Sequence, residues 1–276
     1  MIENKPSRTA QGAAMHRAFH QIKEHPPVFT DPLALRIVGA EAADTLQRRT
    51  DWHANRQAQT RRAFMAARSR YAEDQFAQTY ARGVRQYVVL GAGLDTFAYR
   101  APYSDVRVFE VDHPATQGWK RARLSETGIA IPQHVSYAPV DFERETIIDG
   151  LARAQIDFTQ PVFFAWLGVT MYLDEETILG TLRMIAAKTA SGSEIVFDFS
   201  VVPKDREARG RFAERVAQMG EPLKSSFDPT DLQDKVRGCG FGEVELRDHR
   251  ALNALYFTDR SDDFKLRGGQ MIRARV

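Results

Sequence analysis

The residues best suited to chemistry sit in two runs, YVVLGAGLDTFAYR at 87 to 100 and VRVFEVDHP at 106 to 114. The first is an apolar run leading straight into Gly91-Ala92-Gly93, where missing side chains let the backbone turn tightly and come close to a ligand. The second ends in Glu110 and Asp112, the latter 19 residues after Gly93, and a carboxylate at such a strand end can accept both hydroxyls of a ribose. Thr96 stands where a Gly-x-Gly-x-x-Gly fingerprint would carry its third glycine, which tells against a dinucleotide pyrophosphate turn. Nicotinamide, flavin and S-adenosylmethionine sites share a glycine turn with an acidic strand end, so the pair specifies adenosine ribose and no more.

Those residues need a sheet whose strands end together. Short β-branched runs at Tyr87 to Leu90, Val106 to Val111, Val135 to Val140, Val162 to Trp166 and Glu194 to Phe199 are too apolar for a half-exposed sheet and read as buried parallel strands. Helical stretches at about 115 to 127, 143 to 153 and 174 to 190 alternate with them, which calls for an α/β fold with a doubly wound, mostly parallel sheet. Strands at about 243 to 248 and 270 to 275, read without a helix between them, bring the sheet to seven strands and suggest an antiparallel hairpin at its edge. Residues 201 to 230, with a polar helix and two proline breaks, read as an inserted lid. Residues 1 to 85 read as an N-terminal helical cap, with helices near 9 to 23, 31 to 38 and 54 to 82, packed as one unit with the core at 86 to 276.

Composition narrows the function. Among 276 residues, Lys+Arg 38 against Asp+Glu 36 leaves a net charge of +2, which excludes a polyanion binder using its whole surface. The balance is uneven: residues 1 to 85 hold 14 basic and 8 acidic groups, residues 86 to 276 hold 24 and 28. Arg48, Arg49, Arg56, Arg61 and Arg62 read as an exposed helix face, not a nucleic-acid surface, because no aromatic stacking series accompanies them. Cys239 is the only cysteine, so an intrachain disulfide and a cysteine-based metal site are impossible, in keeping with a reducing cytoplasm. The start of the chain lacks a signal-peptide pattern, and the longest apolar runs fall far short of the roughly 20 residues a membrane span needs. Seven histidines show no metal-binding spacing, and neither a phosphate-binding Gly-Lys-Ser/Thr loop nor a Gly-x-Ser-x-Gly elbow is present.

With VFEVDHPATQGWKRARL and FFAWLGVTMYL following VVLGAGLDTFAYR, the chain resembles the leucine carboxyl methyltransferase family, including its bacterial branch of S-adenosylmethionine-dependent O-methyltransferases. The resemblance implies a class I methyltransferase (Rossmann-like) fold and S-adenosyl-L-methionine as cofactor, leaving S-adenosyl-L-homocysteine. It implies that Gly91, Ala92 and Gly93 form the cofactor turn and that Asp112, with Glu110, meets the ribose. Arg68, with Arg70 as the alternative, would pair with the methionine carboxylate; Asp141 and Phe142 would lie along the adenine. Arg8 corresponds loosely to a basic residue facing the cofactor, and Tyr172 would face the donor methyl and the acceptor. The chain departs from the family at Trp166-Leu167, where many members carry Glu before Gly-Val-x-Met-Tyr-Leu. An acidic contact is then lost, and aromatic packing from Trp166 would have to compensate.

Three functions are compatible with these residues. The first is methyl transfer to a carboxylate or acidic hydroxyl of a small molecule or peptide: a carboxylate is ionised at neutral pH and needs no base, and the lack of a histidine and acid pair near the motifs favours such an acceptor. A nicotinamide-dependent oxidoreductase is the second, weakened by the incomplete fingerprint. The third is a non-catalytic S-adenosylmethionine-binding protein. No metal is expected, and the oligomeric state is open.

Overall fold

The computed structural model describes residues 8–48, 55–141, 144–202 and 223–276. Seven strands, β1 (Gln86–Leu90), β2 (Arg107–Asp112), β3 (Val135–Pro139), β4 (Phe163–Trp166), β5 (Glu194–Asp198), β6 (Glu243–Asp248) and β7 (Gln270–Arg275), form one sheet. Their order is β3-β2-β1-β4-β5-β7-β6. The first five are parallel, and β7 runs antiparallel to both neighbours.

Period-2 alternation divides the buried strands between two cores. Val88, Leu90, Phe109, Val111, Phe164 and Trp166 face α7 (Ile147–Arg153), α8 (Glu175–Lys188) and α9 (Pro229–Gly238). On the opposite face Tyr87, Val89, Val108, Phe163, Ala165 and Val196 meet α4 (Arg56–Ala81) and α5 (Phe97–Arg100). A sheet covered on both faces explains the uninterrupted apolar runs of β1, β4 and β5.

The N-terminal segment folds as α1 (Arg8–Lys23), α2 (Ala34–Ile37), α3 (Ala40–Arg48) and α4. The Asn55 side chain caps α4 by accepting from the Ala58 N–H at 2.9 Å. Ala63, Ala66, Ala67 and Ala72 are buried along α4 and let its backbone lie close on the sheet. Phe76 then fills the gap between helix and sheet, with ring contacts to Tyr80, Tyr87, Phe97, Tyr103 and Phe163. Arg62 corrects the expectation of an exposed cationic face: it is buried and bonds Glu24 at 2.9 Å, because that side of α4 packs on α1. Arg48, Arg56 and Arg61 are exposed as expected, and Arg49 lies outside the described residues.

Two other expectations are revised. A helix, α10 (His249–Tyr256), stands between β6 and β7, and β7 sits inside the sheet with β6 at the edge. The pair is antiparallel as expected but is no hairpin, since α10 and a loop take up the connection. Of the expected lid, residues 203–222 lie outside the described residues; from residue 223 the chain returns to the sheet, with an isolated bridge between Val201 and Phe227 before α9 begins at Pro229. No helix among the described residues is long and apolar enough to cross a membrane.

Phe76→Ala, which empties the centre of this aromatic cluster, is expected to lower unfolding free energy by about 3–5 kcal/mol, read from the midpoint of urea denaturation.

Candidate active site

The first turn of α1 lies against the glycine turn at the carboxyl end of β1. Beyond Leu90, Gly91 and Gly93 adopt φ values of +68° and +45°, a left-handed backbone that other residues enter only with strain. The N–H groups of Gly91 and Ala92 both donate to the Val111 carbonyl, at 2.8 and 3.1 Å, which fastens the turn to β2. A Cβ on Gly91 would lie 2.4 Å from Val169 Cγ2, and one on Gly93 would lie 3.0 Å from Ala10 Cβ. The turn is thus covered by the loop after β4 on one side and by the first turn of α1 on the other. The Ala92 side chain is buried in the core facing α4, so that residue can offer a ligand its backbone only.

Asp112 adjoins this turn. One carboxylate oxygen accepts the Gly93 N–H at 2.6 Å and the other accepts the His113 N–H at 2.7 Å. Burial raises its pKa above the usual value, opposed by those two N–H groups and by Lys120. The residue as a whole is half-buried. Glu110, two residues earlier on the same face, is fully buried: Nζ of Lys120, from α6 (Pro114–Glu126), lies 2.7 Å from one oxygen and the Tyr99 hydroxyl donates to the other at 2.9 Å. Both oxygens therefore have protein partners, and Glu110 supports the strand end without opening onto it.

Trp166 is fully buried in the core facing α8, with its ring centroid 6.2 Å from that of Phe197. A carboxylate does reach this stretch, from the next strand. Asp198, at the end of β5, accepts the Gly168 N–H at 2.6 Å and an Arg68 Nη1–H at 2.8 Å, while its backbone carbonyl accepts the Thr170 hydroxyl at 2.6 Å. Arg68 comes from α4, so this cluster joins the cap to β4 and β5. Arg70, two residues on, turns outward to Asp74 instead. Tyr172 closes a 3-10 turn over Thr170–Tyr172 and is partly exposed beside the same strand ends. Asp141 follows β3, with its carboxylate 3.5 Å from Arg144. Phe142 and the Arg8 side chain lie outside the described residues.

Behind the turn a second polar cluster locks the cap down. Arg17 donates to the Leu94 carbonyl at 2.5 Å and pairs with buried Asp31 at 2.7 Å, and Asp31 also accepts the Thr96 hydroxyl at 2.7 Å. Burial pushes the Asp95 carboxyl up, but Arg17, Lys120 and Arg100 outweigh it and hold its pKa below the usual value. Sequence reasoning singles out neither this cluster nor Asp198. Asp198 nevertheless carries the signal that marks Asp112, an acid closing a buried apolar run, here EIVFD.

The strand order, with its glycine turn and acidic strand end, is that of the class I methyltransferase fold. The family model of leucine carboxyl methyltransferase matches residues 10–186, and the chain belongs to that family. It is 30% identical over 293 residues to YktD of Bacillus subtilis, whose name places it among S-adenosyl-L-methionine-dependent methyltransferases, with 95% of each chain covered. A similarly named protein of Frankia alni is 34% identical over 192 residues, covering 68% of this chain and 66% of that one. Among solved structures, a DUF574 family protein from Streptomyces avermitilis shares the fold with TM-score 0.59 at 18% identity, over 100% of this chain and 99% of its own. A second, from Thermobifida fusca, has TM-score 0.57 at 20% identity over 99% and 96%. The protein is an S-adenosylmethionine-dependent methyltransferase, which sets aside the nicotinamide reading.

Gly91→Ala would force a side chain into left-handed backbone and against Val169; the variant is expected to lose about 1–3 kcal/mol of stability, measured by denaturant titration.

Proposed function

We propose that the protein transfers the methyl group to an oxygen, a carboxylate or acidic hydroxyl of a small molecule or peptide. In this reading Gly91 and Gly93 shape the cofactor turn, Asp112 accepts the ribose hydroxyls, Arg68 grips the methionine carboxylate, Asp141 meets the adenine amine and Tyr172 faces the acceptor. The observation that carries it is Asp112: a half-buried residue whose carboxylate is fixed by two backbone N–H groups, beside a turn where added Cβ atoms would collide with Val169 and press on Ala10. A ribose, whose two hydroxyls share one edge, suits such a carboxylate, and a guanidinium suits a carboxylate in turn.

S-adenosylmethionine supplies a methyl group already activated on its sulfonium. The protein's own part is orientation, and holding donor and acceptor in line can contribute about 7–11 kcal/mol. An acceptor carboxylate is ionised at neutral pH and needs no base. The histidine and acid pair in the cap, His20 and Glu24, is not available as one: Nδ1 lies 3.1 Å from Glu24, and Nε2 accepts from the N–H groups of Val28 and Phe29. That occupancy supports an acceptor that arrives ionised. A cytoplasmic setting suits the single, buried Cys239.

Thermal unfolding with S-adenosylmethionine, S-adenosylhomocysteine and NAD tests the binding part. The first two are expected to raise Tm and NAD to leave it unchanged, with most of the rise gone in Asp112→Ala. Affinity for S-adenosylhomocysteine is expected to fall on acidification from a higher pH than an ordinary aspartate would give, because burial raises the Asp112 pKa. The ligand-free fold gains stability from Asp112 in that window, since a raised acid pKa makes the folded state the better proton binder. Calorimetric titration and denaturation across the same pH series read the two opposite slopes. Labelled methyl transfer in cell extract is expected to yield an alkali-labile methyl ester; an alkali-stable ether would move the acceptor to a hydroxyl.

A further inference from the structure

Arg68 is the residue assigned to the cofactor carboxylate, yet its guanidinium already has an anionic partner. Asp198 is buried, and each of its oxygens is engaged, one by Arg68 Nη1 at 2.8 Å and the other by the Gly168 N–H at 2.6 Å. Gly168 has φ +73°, and a Cβ there would fall 2.7 and 2.8 Å from the two Nη atoms of Arg68 and 3.1 Å from Cζ. The guanidinium therefore points its Nη1–Nη2 edge at the Gly168 backbone, and Nη1 is held by a carboxylate that the same backbone fixes. Val169, the next residue, is the one that a Cβ on Gly91 would strike, so the cofactor turn, the β4 loop and the Arg68–Asp198 pair are contiguous.

We propose that Asp198 is the positioning residue for Arg68, setting which edge of the guanidinium faces the amino-acid end of the cofactor. An arginine on a long side chain loses little binding geometry only if its planar fork is fixed before the ligand arrives. Asp198 fixes it through one N–H, and a five-donor fork with one edge bound still presents others to a ligand carboxylate. The pair also cancels the charge of Arg68, so recognition of the ligand carboxylate depends on aimed N–H groups more than on net attraction. Leu167 removes the acid that the family resemblance leads one to expect on the β4 loop, and the carboxylate bonded to Gly168, one residue along, comes from β5 instead.

This inference rests on the assignment of Arg68 to the cofactor carboxylate, and the test separates the two. Binding of S-adenosylhomocysteine and of 5′-methylthioadenosine, which lacks the amino-acid end, is measured by calorimetry on the full chain. The wild type is expected to prefer S-adenosylhomocysteine. Asp198→Asn is expected to weaken S-adenosylhomocysteine by about tenfold or more and methylthioadenosine by less than about twofold, without adding to the loss caused by Arg68→Met. Gly168→Ala, which pushes the guanidinium aside while keeping both charges, is expected to give the same selective loss, and it carries the test if Asp198→Asn does not fold. Equal loss for both ligands, or none, in the folded variants overturns the positioning role. A wild type that binds both ligands equally, or an Arg68→Met variant that binds S-adenosylhomocysteine normally, overturns the Arg68 assignment itself.

Discussion

The structure is organised around backbone that has no room for side chains. At Gly91, Gly93 and Gly168 the chain takes left-handed turns at the ends of β1 and β4, and the atoms that would meet a Cβ belong to three different elements: the β4 loop, α1 and α4. Close approach at these points fixes the height of the cap above the sheet. The polar clusters come second to that steric fit. Buried ion pairs such as Arg68–Asp198 and Arg17–Asp31 add little net stability, because desolvation offsets most of their attraction, but they penalise any arrangement that separates them. Sterics set the distance between cap and sheet, and charge sets the lateral register.

Much of this was legible in the sequence, and for a physical reason. A parallel strand buried on both faces writes itself as a continuous apolar run, so β1, β2, β4 and β5 were readable to within a residue or two from stretches such as YVVL and EIVFD; β3 lies where expected but, as the edge strand, is half-exposed and not buried. Asp112 was readable because it closes such a run near a glycine turn. The short helices α3, α5 and α10 were not, since runs of four to nine residues show little helical period; α2, inside the helix expected near 31 to 38, was marked by the Asp31-Pro32 start signal. Buried arginines were hidden as well: Arg62 stands among charged neighbours and looks solvated, and its partner Glu24 lies 38 positions away. The partner of Arg68 is 130 positions away, beyond any local pattern.

The uneven charge of the chain also acquires a physical meaning. Arg68, Arg82 and Arg85, all from α4 or the turn after it, pair with Asp198, Glu194 and Asp105 of the core. To that extent the basic excess before residue 86 and the acidic excess after it are opposite sides of one internal contact. Genome composition can favour Arg over Lys, yet it does not choose these partners. Arg100 and Glu73 form the same kind of link with the signs exchanged, so the contact is matched locally and not by a uniform field.

The position of β7 has a consequence for how the sheet is assembled. It comes after β6 in the chain but lies between β5 and β6, so β6 has no strand of its own to join until β7 exists. A nascent chain reaching residue 248 can complete the five parallel strands but leaves β5 with an open edge and β6 detached. Docking of the final strand then closes both gaps in one event, coupling β5 and β6 through backbone pairs on either side of Met271 and Ile272. Loss of that single short segment would therefore unmake two strands of the sheet and expose β5, the strand that carries Asp198, to edge pairing with other chains.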